Sequence, residues 1–308
     1  MTPDAQPSRT ALLSAAARAA HLLVDDHPAI FTDPLAHRLL GERAEELLSY
    51  HQVYGSHPAL SGARTSVVTR SRYTENRLAE MAVDQYVILG AGLDSFAYRE
   101  ARPDDLRVFE VDKPATQRWK KKLLAEAGIT TPETVEFVAV DFEKDPALTS
   151  HLVQAGFDPN RPALVSWLGV TMYLTEEAIS QTLHAISGLA PGTELIVEYL
   201  LPAELRDEAG QAYAELVMAA AAAHGEPWQT FLSAEQMAAL LRDHLLEPRE
   251  HVRQKDIPVE WKRGDALRPT ELSILTRARV RESSPATDPT AGADSPTNTR
   301  RKPPAPQP

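Results

Sequence analysis

From Gln85 to Tyr199 the chain alternates between two textures. Short runs of Val, Ile and Leu (QYVILG at 85–90, LRVFEV at 106–111, VEFVAV at 135–140, PALVSWL at 162–168, TELIVEY at 193–199) are separated by amphipathic stretches near 114–127, 145–155 and 175–188. Nearly continuous apolar runs joined by helices describe strands buried on both faces, so the pattern predicts a parallel sheet in a doubly wound α/β domain. The run ELSILTRARV (271–280) alternates apolar and polar positions and predicts a last strand at the edge of that sheet.

Before Gln85 the apolar residues fall at helical spacing. Ala11, Leu12, Ala15, Ala19 and Leu22 form one stripe with Ser8 placed to cap it, Pro28 and Pro34 interrupt the chain around FTDPLA, and a further helix is expected over about 66–83. After Tyr199, residues 202–225 read as a helix and another begins near Ser233. Residues 283–308 hold seven prolines and no Ile, Leu, Val, Met or aromatic residue, a composition expected to stay disordered. The expected organisation is a helical N-terminal cap (1–84), an α/β domain (85–282) with a helical insertion at about 200–232, and a disordered tail (283–308).

Composition removes several alternatives. With no cysteine among 308 residues there is no disulfide framework, thiolate nucleophile or Cys-ligated metal. The longest apolar run, Leu216 to Ala223, is too short to span a bilayer, and no signal peptide is read at the N-terminus. A net charge of −11 speaks against a nucleic-acid partner. The expectation is a cytoplasmic protein with neither membrane nor nucleic acid as partner. The ten histidines are dispersed, with no HxH or HExxH spacing, so no metal site is expected.

In open α/β sheets ligands gather at the carboxyl ends of the strands. The first strand ends in Gly90-Ala91-Gly92-Leu93-Asp94-Ser95, where two glycines let the backbone approach a ligand and set a helix N-terminus beside it, or simply make a tight turn. Asp112 stands at the tip of the second strand, 20 residues beyond Gly92, where a carboxylate accepts both ribose hydroxyls or caps the helix that Pro114 begins. At the third tip Asp141 suits the exocyclic amine of adenine and Phe142 offers a backbone N–H and an apolar wall; Asp141 is equally placed to cap a helix near Asp145. Three neighbouring tips of this kind make an adenosine site the economical account. Ser95 stands where the dinucleotide fingerprint wants its third glycine, which counts against NAD and FAD, and no GxxxxGK[ST] is present. S-adenosyl-L-methionine carries no phosphate and needs only the groups on offer.

ILGAGLDSFAYR, FEVDKP, VAVDF and WLGVTMYLTEEAI, together with FTDPLA and the segment Arg70 to Asn76, resemble the leucine carboxyl methyltransferase family, in particular its bacterial polyketide-type O-methyltransferases, over roughly residues 18–280. The resemblance implies a class I methyltransferase fold with an antiparallel last strand, S-adenosyl-L-methionine as cofactor, and O-methylation of a small-molecule carboxylate or hydroxyl. It implies that Gly90, with Gly92 in the same turn, lines the methionine part, Asp112 the ribose and Asp141 and Phe142 the adenine, while Arg72 pairs with the cofactor's carboxylate. One departure stands out: the family usually reads Trp-Glu-Gly where this chain has Trp167-Leu168-Gly169. Loss of that carboxylate is worth about 1–2 kcal/mol if one charged hydrogen bond is lost, and it keeps open the alternative of a non-catalytic S-adenosylmethionine-binding protein. Tyr173, Glu198 and Tyr199 are the candidates for a base, none of them singled out. Tyr213, Met218, Trp228 and Phe231 line an acceptor pocket or belong to the core, and the spacing favours core.

Overall fold

The computed structural model describes residues 8–99 and 104–281. The tail expected at 283–308 lies outside the described residues. In chain order the helices are α1 (Arg9–Val24), α2 (Ala44–Tyr54), α3 (Pro58–Glu80), α4 (Pro114–Glu126), α5 (Leu148–Gln154), α6 (Glu176–Ser187), α7 (Glu208–Ala223) and α8 (Ala234–Asp243). The strands are β1 (Gln85–Leu89), β2 (Arg107–Asp112), β3 (Val135–Ala139), β4 (Leu164–Trp167), β5 (Glu194–Leu200), β6 (Leu246–Arg253) and β7 (Ser273–Val280). They form a single sheet in the order β3-β2-β1-β4-β5-β7-β6. The first five are parallel, and β7 runs antiparallel to both β5 and β6.

Two expectations are corrected here. The run at 271–280 is a strand, but an interior one: β6, which the apolar pattern did not reveal, occupies the edge. Its sequence LEPREHVR carries Pro248 and a register irregularity between Pro248 and Glu250, features that suit an edge and erase the alternation that marks a half-buried strand. The second correction concerns the turn after β1. Instead of an α-helix, a single 3₁₀ turn follows at Phe96–Tyr98, started by Asp94 Oδ1 accepting from the Phe96 N–H at 2.7 Å.

Both faces of the sheet are covered. On one, Val87, Phe109, Val165 and Val197 pack with Leu148 and Leu152 of α5, Ile179 and Leu183 of α6 and Met237 and Leu241 of α8. On the other, Ile88, Val108 and Ile196 meet Leu78 of α3. α3 is pinned across this second face at two levels. Arg77 closes a two-pronged ion pair on Glu194 (2.8 Å from both Nε and Nη2), which Arg277 of β7 also approaches at 3.3 Å. Two helical turns away Arg70 Nη1 meets Glu198 Oε2 at 2.7 Å. Residues seven apart on a helix share a face, as do residues four apart on a strand, so both pairs close at once.

The N-terminal helices are joined by a buried polar network. His21 Nε2 accepts from the Ile30 N–H at 2.9 Å, which assigns its proton to Nδ1 and to the bond with Asp25 Oδ2, also 2.9 Å. Arg64 grips the same carboxylate with Nε (2.8 Å) and Nη2 (2.9 Å) and lies 3.1 Å from His51 Nδ1. Charges this deeply buried persist only because each is paired and hydrogen-bonded.

Candidate functional site at the strand ends

The tips of β3, β2 and β1 lie side by side, and the residues expected at them gather there. Gly90 leaves β1 with φ of +71° and Gly92 follows at +46°, in the left-handed region that suits glycine. A Cβ on Gly90 would lie 2.2 Å from Val170 Cγ2, and one on Gly92 2.9 Å from Ala11 Cβ of α1. Backbone conformation and close approach therefore both require glycine. The turn is clasped from β2: the Gly90 and Ala91 N–H groups donate to Val111 O (2.8 and 3.0 Å), and the Gly92 N–H donates to Asp112 Oδ2 at 2.6 Å. Asp112 Oδ1 accepts from the Lys113 N–H at 2.7 Å. Burial nevertheless raises the Asp112 carboxyl above its ordinary range, the backbone bonds offsetting this only in part.

At the β3 tip Asp141 Oδ1 accepts from the Glu143 N–H at 3.2 Å, and Oδ2 lies 3.6 Å from Lys144 Nζ. The helix that this residue was equally placed to cap begins only at Leu148. Phe142 is buried against Trp167 at the end of β4, ring centroids 6.1 Å apart, which closes the apolar wall between the third and fourth tips.

Of the two arginines in the Arg70–Asn76 segment, the structure brings Arg70 to the strand tips. Its guanidinium, besides meeting Glu198, fills the space beside Gly169: a Cβ there would sit 2.7 Å from Nη1. Arg72 Nη1 instead donates to Ile30 O of the cap at 2.8 Å. Leu168 packs with the apolar cluster on the α3 face. Among the candidate bases, Tyr199 turns away; its hydroxyl bonds Thr276 Oγ1 at 3.0 Å on the opposite face from Glu198. Tyr173 accepts from Trp228 Nε1 at 3.3 Å, within a cluster that includes Met172, Leu200, Tyr213, Met218 and Phe231. The ring of Tyr213 leans on Gly62 of α3, where a Cβ would come within 2.6 Å. Glu226, between the end of α7 and Trp228, accepts from the Thr10 N–H at 3.0 Å, so the segment after α7 is tied to the start of α1.

The FTDPLA motif proves to be a strut. Asp33 Oδ1 accepts from Ser95 Oγ (2.6 Å) and from the Ala36 N–H (3.0 Å), and Oδ2 from Arg18 Nε (2.8 Å); Arg18 Nη2 continues to Leu93 O at 2.6 Å. Burial would raise the Asp33 carboxyl, but Arg18, the Ser95 hydroxyl and Arg99 together bring it below the usual carboxylate range. The cap is thus fastened to the glycine turn itself. Among the described residues no group of three or more His, Cys, Asp or Glu side chains is arranged to hold a metal ion, and no helix is long and apolar enough to cross a membrane. A surface groove of about 490 Å³, lined by Ser180, His184 and His244 among others, includes none of the strand-end residues.

Comparison with known proteins follows the same lines. The leucine carboxyl methyltransferase family model matches residues 11–187. The chain is 32% identical over 281 residues to YktD of Bacillus subtilis (strain 168), covering 82% of this chain and 90% of that one; YktD is named as a proposed S-adenosyl-L-methionine-dependent methyltransferase. A protein of Saccharopolyspora erythraea with the same description is 35% identical over 214 residues, 65% of this chain and 72% of its own. Among solved structures, a proposed methyltransferase from Thermobifida fusca YX superposes with a TM-score of 0.60 at 20% identity, covering 90% of this chain and 96% of that one. At that identity the likeness establishes the fold.

Proposed function

Because the chain belongs to the leucine carboxyl methyltransferase family, we propose that it binds S-adenosyl-L-methionine across the tips of β1, β2 and β3 and transfers a methyl group to a carboxylate or hydroxyl oxygen of a small molecule. The observation that carries this reading is the clasp between adjacent tips, with the Asp112 carboxylate held on the Gly92 N–H and Asp112 itself paired with Ala139, the last residue of β3, from which Asp141 and Phe142 follow. The residues present fit the cofactor. Asp112 is an acceptor-only group suited to a ribose diol, Asp141 suits an amine, and Phe142 with Trp167 supplies an apolar wall. The 3₁₀ turn after Gly92 supports a cofactor without phosphates, because it leaves no long helix N-terminus to neutralise a pyrophosphate.

When bound, S-adenosyl-L-methionine supplies a methyl group already activated by its sulfonium. The chain's part is to bind, orient and exclude water. Asp112, Asp141 and the glycine turn fix the nucleoside, while α1, lying on Gly92 through Ala11, shields the turn from solvent. The cluster around Tyr173, Trp228 and Tyr213 orients an acceptor beside the β4 and β5 tips. A carboxylate acceptor is already a nucleophile, so no base is required of these residues.

Calorimetric titration with S-adenosylhomocysteine tests the cofactor reading, with NADH as the contrasting ligand. No heat and no thermal shift at millimolar S-adenosylhomocysteine would remove it. Transfer of labelled methyl from the cofactor into cell extract tests the acceptor: label is expected in the small-molecule fraction, and label confined to precipitated protein would overturn that class.

A further inference from the structure

One face of α6 carries Ser180 and His184 a single turn apart, and both line the surface groove of about 490 Å³ together with His244, which closes α8. His244 Nε2 lies 2.7 Å from Ser180 Oγ, so that nitrogen is directed at the α6 row. The His184 and His244 rings stand 6.1 Å apart between centroids. His184 is exposed, and its ring has no hydrogen-bond partner among the described residues. Burial, with His184 beside it, lowers His244 below its ordinary 6.5, so at neutral pH that ring is a base and not a cation. Two imidazoles and a hydroxyl, with no carboxylate in the lining, are a poor match for Mg²⁺ or Ca²⁺ and suit a borderline ion such as Zn²⁺ or Ni²⁺. Imidazoles sharing one such ion, each about 2.0–2.1 Å from it through a nitrogen, have centroids roughly 4.5–6.5 Å apart. The observed separation of 6.1 Å falls within that span, and the groove leaves room for water to complete the coordination.

We infer that His184 and His244 bind one divalent transition-metal ion of the Zn²⁺ or Ni²⁺ type, with Ser180 Oγ as a third donor and water in the remaining positions. The ion clips α6 to the turn between α8 and β6, and so fastens the edge strand to the parallel part of the sheet. The two histidines are far apart in the chain, so no HxH or HExxH spacing announces them, and as a pair they fall short of a three-residue cluster. The site is separate from the strand tips and independent of the cofactor reading.

Calorimetric titration of the full chain with ZnCl2, and with MgCl2 as contrast, tests the site. Loss of a ligand costs at least what loss of an outer-shell partner does, about ten- to a hundredfold in affinity, and His184→Asn and His244→Asn are each expected to lose that much for Zn²⁺. The double variant should lose little more than either single one, because one imidazole left alone no longer makes the site. Zn²⁺ should raise the melting temperature of the wild type and leave that of the variants unchanged. Metal-free melts report whether each variant is folded, and His184, being exposed, can be replaced without disturbing the core. No binding at millimolar Zn²⁺, equal binding of Mg²⁺, or Zn²⁺ affinity that survives either replacement would overturn the inference. Losses that simply add in the double variant would do so too, since they mark two unrelated histidines in place of one shared ion.

Discussion

Replacing Asp112 with Asn puts the clasp at the β2 tip to the test, because affinity and stability should respond differently. In the folded chain burial raises the Asp112 carboxyl. A carboxyl raised on folding binds its proton more tightly in the native state than in the unfolded one. Its contribution to stability is therefore present at low pH and lost as pH rises through the folded value, so at neutral pH the charge is a burden on the apoprotein. Asparagine removes that burden. It also has one carbonyl for two N–H donors, those of Gly92 and Lys113, and an unmet donor costs about 1–3 kcal/mol. The two effects oppose, and the apoprotein is expected to change by no more than about 1 kcal/mol, a shift of roughly 2–4 °C in melting temperature. Binding has no such compensation. A ribose diol loses the charge and one acceptor, about 2–3 kcal/mol at the usual strength of charge-assisted bonds, or roughly thirty- to 150-fold in affinity. Calorimetry with S-adenosylhomocysteine and ligand-free thermal melts read the two quantities. Unchanged affinity, or a loss of affinity matched by a collapse of the fold, would refute the assignment of Asp112 to the sugar.

Further outcomes follow from other sites. Gly90→Ala is expected to lower stability by more than the roughly 1–2 kcal/mol of a left-handed alanine, because its Cβ meets Val170 Cγ2 at 2.2 Å; adding Val170→Ala should return only the steric part in thermal melts. Asp33→Asn should loosen the cap from the glycine turn by about 2–3 kcal/mol through Arg18 and Ser95, and limited proteolysis should then cut before residue 85 first. Burial, followed by Arg64, pushes His51 down to about 4 from 6.5. The unfolded chain takes up that proton first, so stability is full above about pH 6.5 and falls toward pH 4, by at most about 3 kcal/mol. Glu75, pushed up to about 7 by burial, acts oppositely, its contribution present below its ordinary 4.5 and lost as pH rises through 7. Urea unfolding of His51→Gln should lose the acid-side decline and keep the one near pH 7; an unchanged pH profile would place the titration elsewhere.

Which features could be read from the chain follows from where each element sits. The five parallel strands were legible because strands buried on both faces must be apolar throughout, as in Val87, Phe109 and Val165. β6 was not, because an edge strand needs no apolar alternation and Pro248 argues against one. The helix anticipated after Gly92 fails at Asp94, whose side chain satisfies the Phe96 N–H locally and commits the chain to a short turn. That Gly90, Gly92, Asp112, Asp141 and Phe142 lie at or just past neighbouring strand ends was legible, because a parallel sheet fixes where its strands end. The resemblance names Arg72 for the cofactor's carboxylate; the structure sets Arg70 at the strand tips and Arg72 Nη1 on Ile30 O, because residues two apart on a helix point in nearly opposite directions. The seven-residue spacing of Arg70 and Arg77 was a legible signal for the two ion pairs, since it puts both on the face that meets Glu198 and Glu194.

That double fastening bears on what happens when one end of the helix is disturbed. If the Arg70–Glu198 pair opens, the long helix keeps its other anchorage, because Glu194 is gripped at the same time by Arg77 and Arg277. Rearrangement is then confined to the upper end, and the lower rim serves as a fixed pivot.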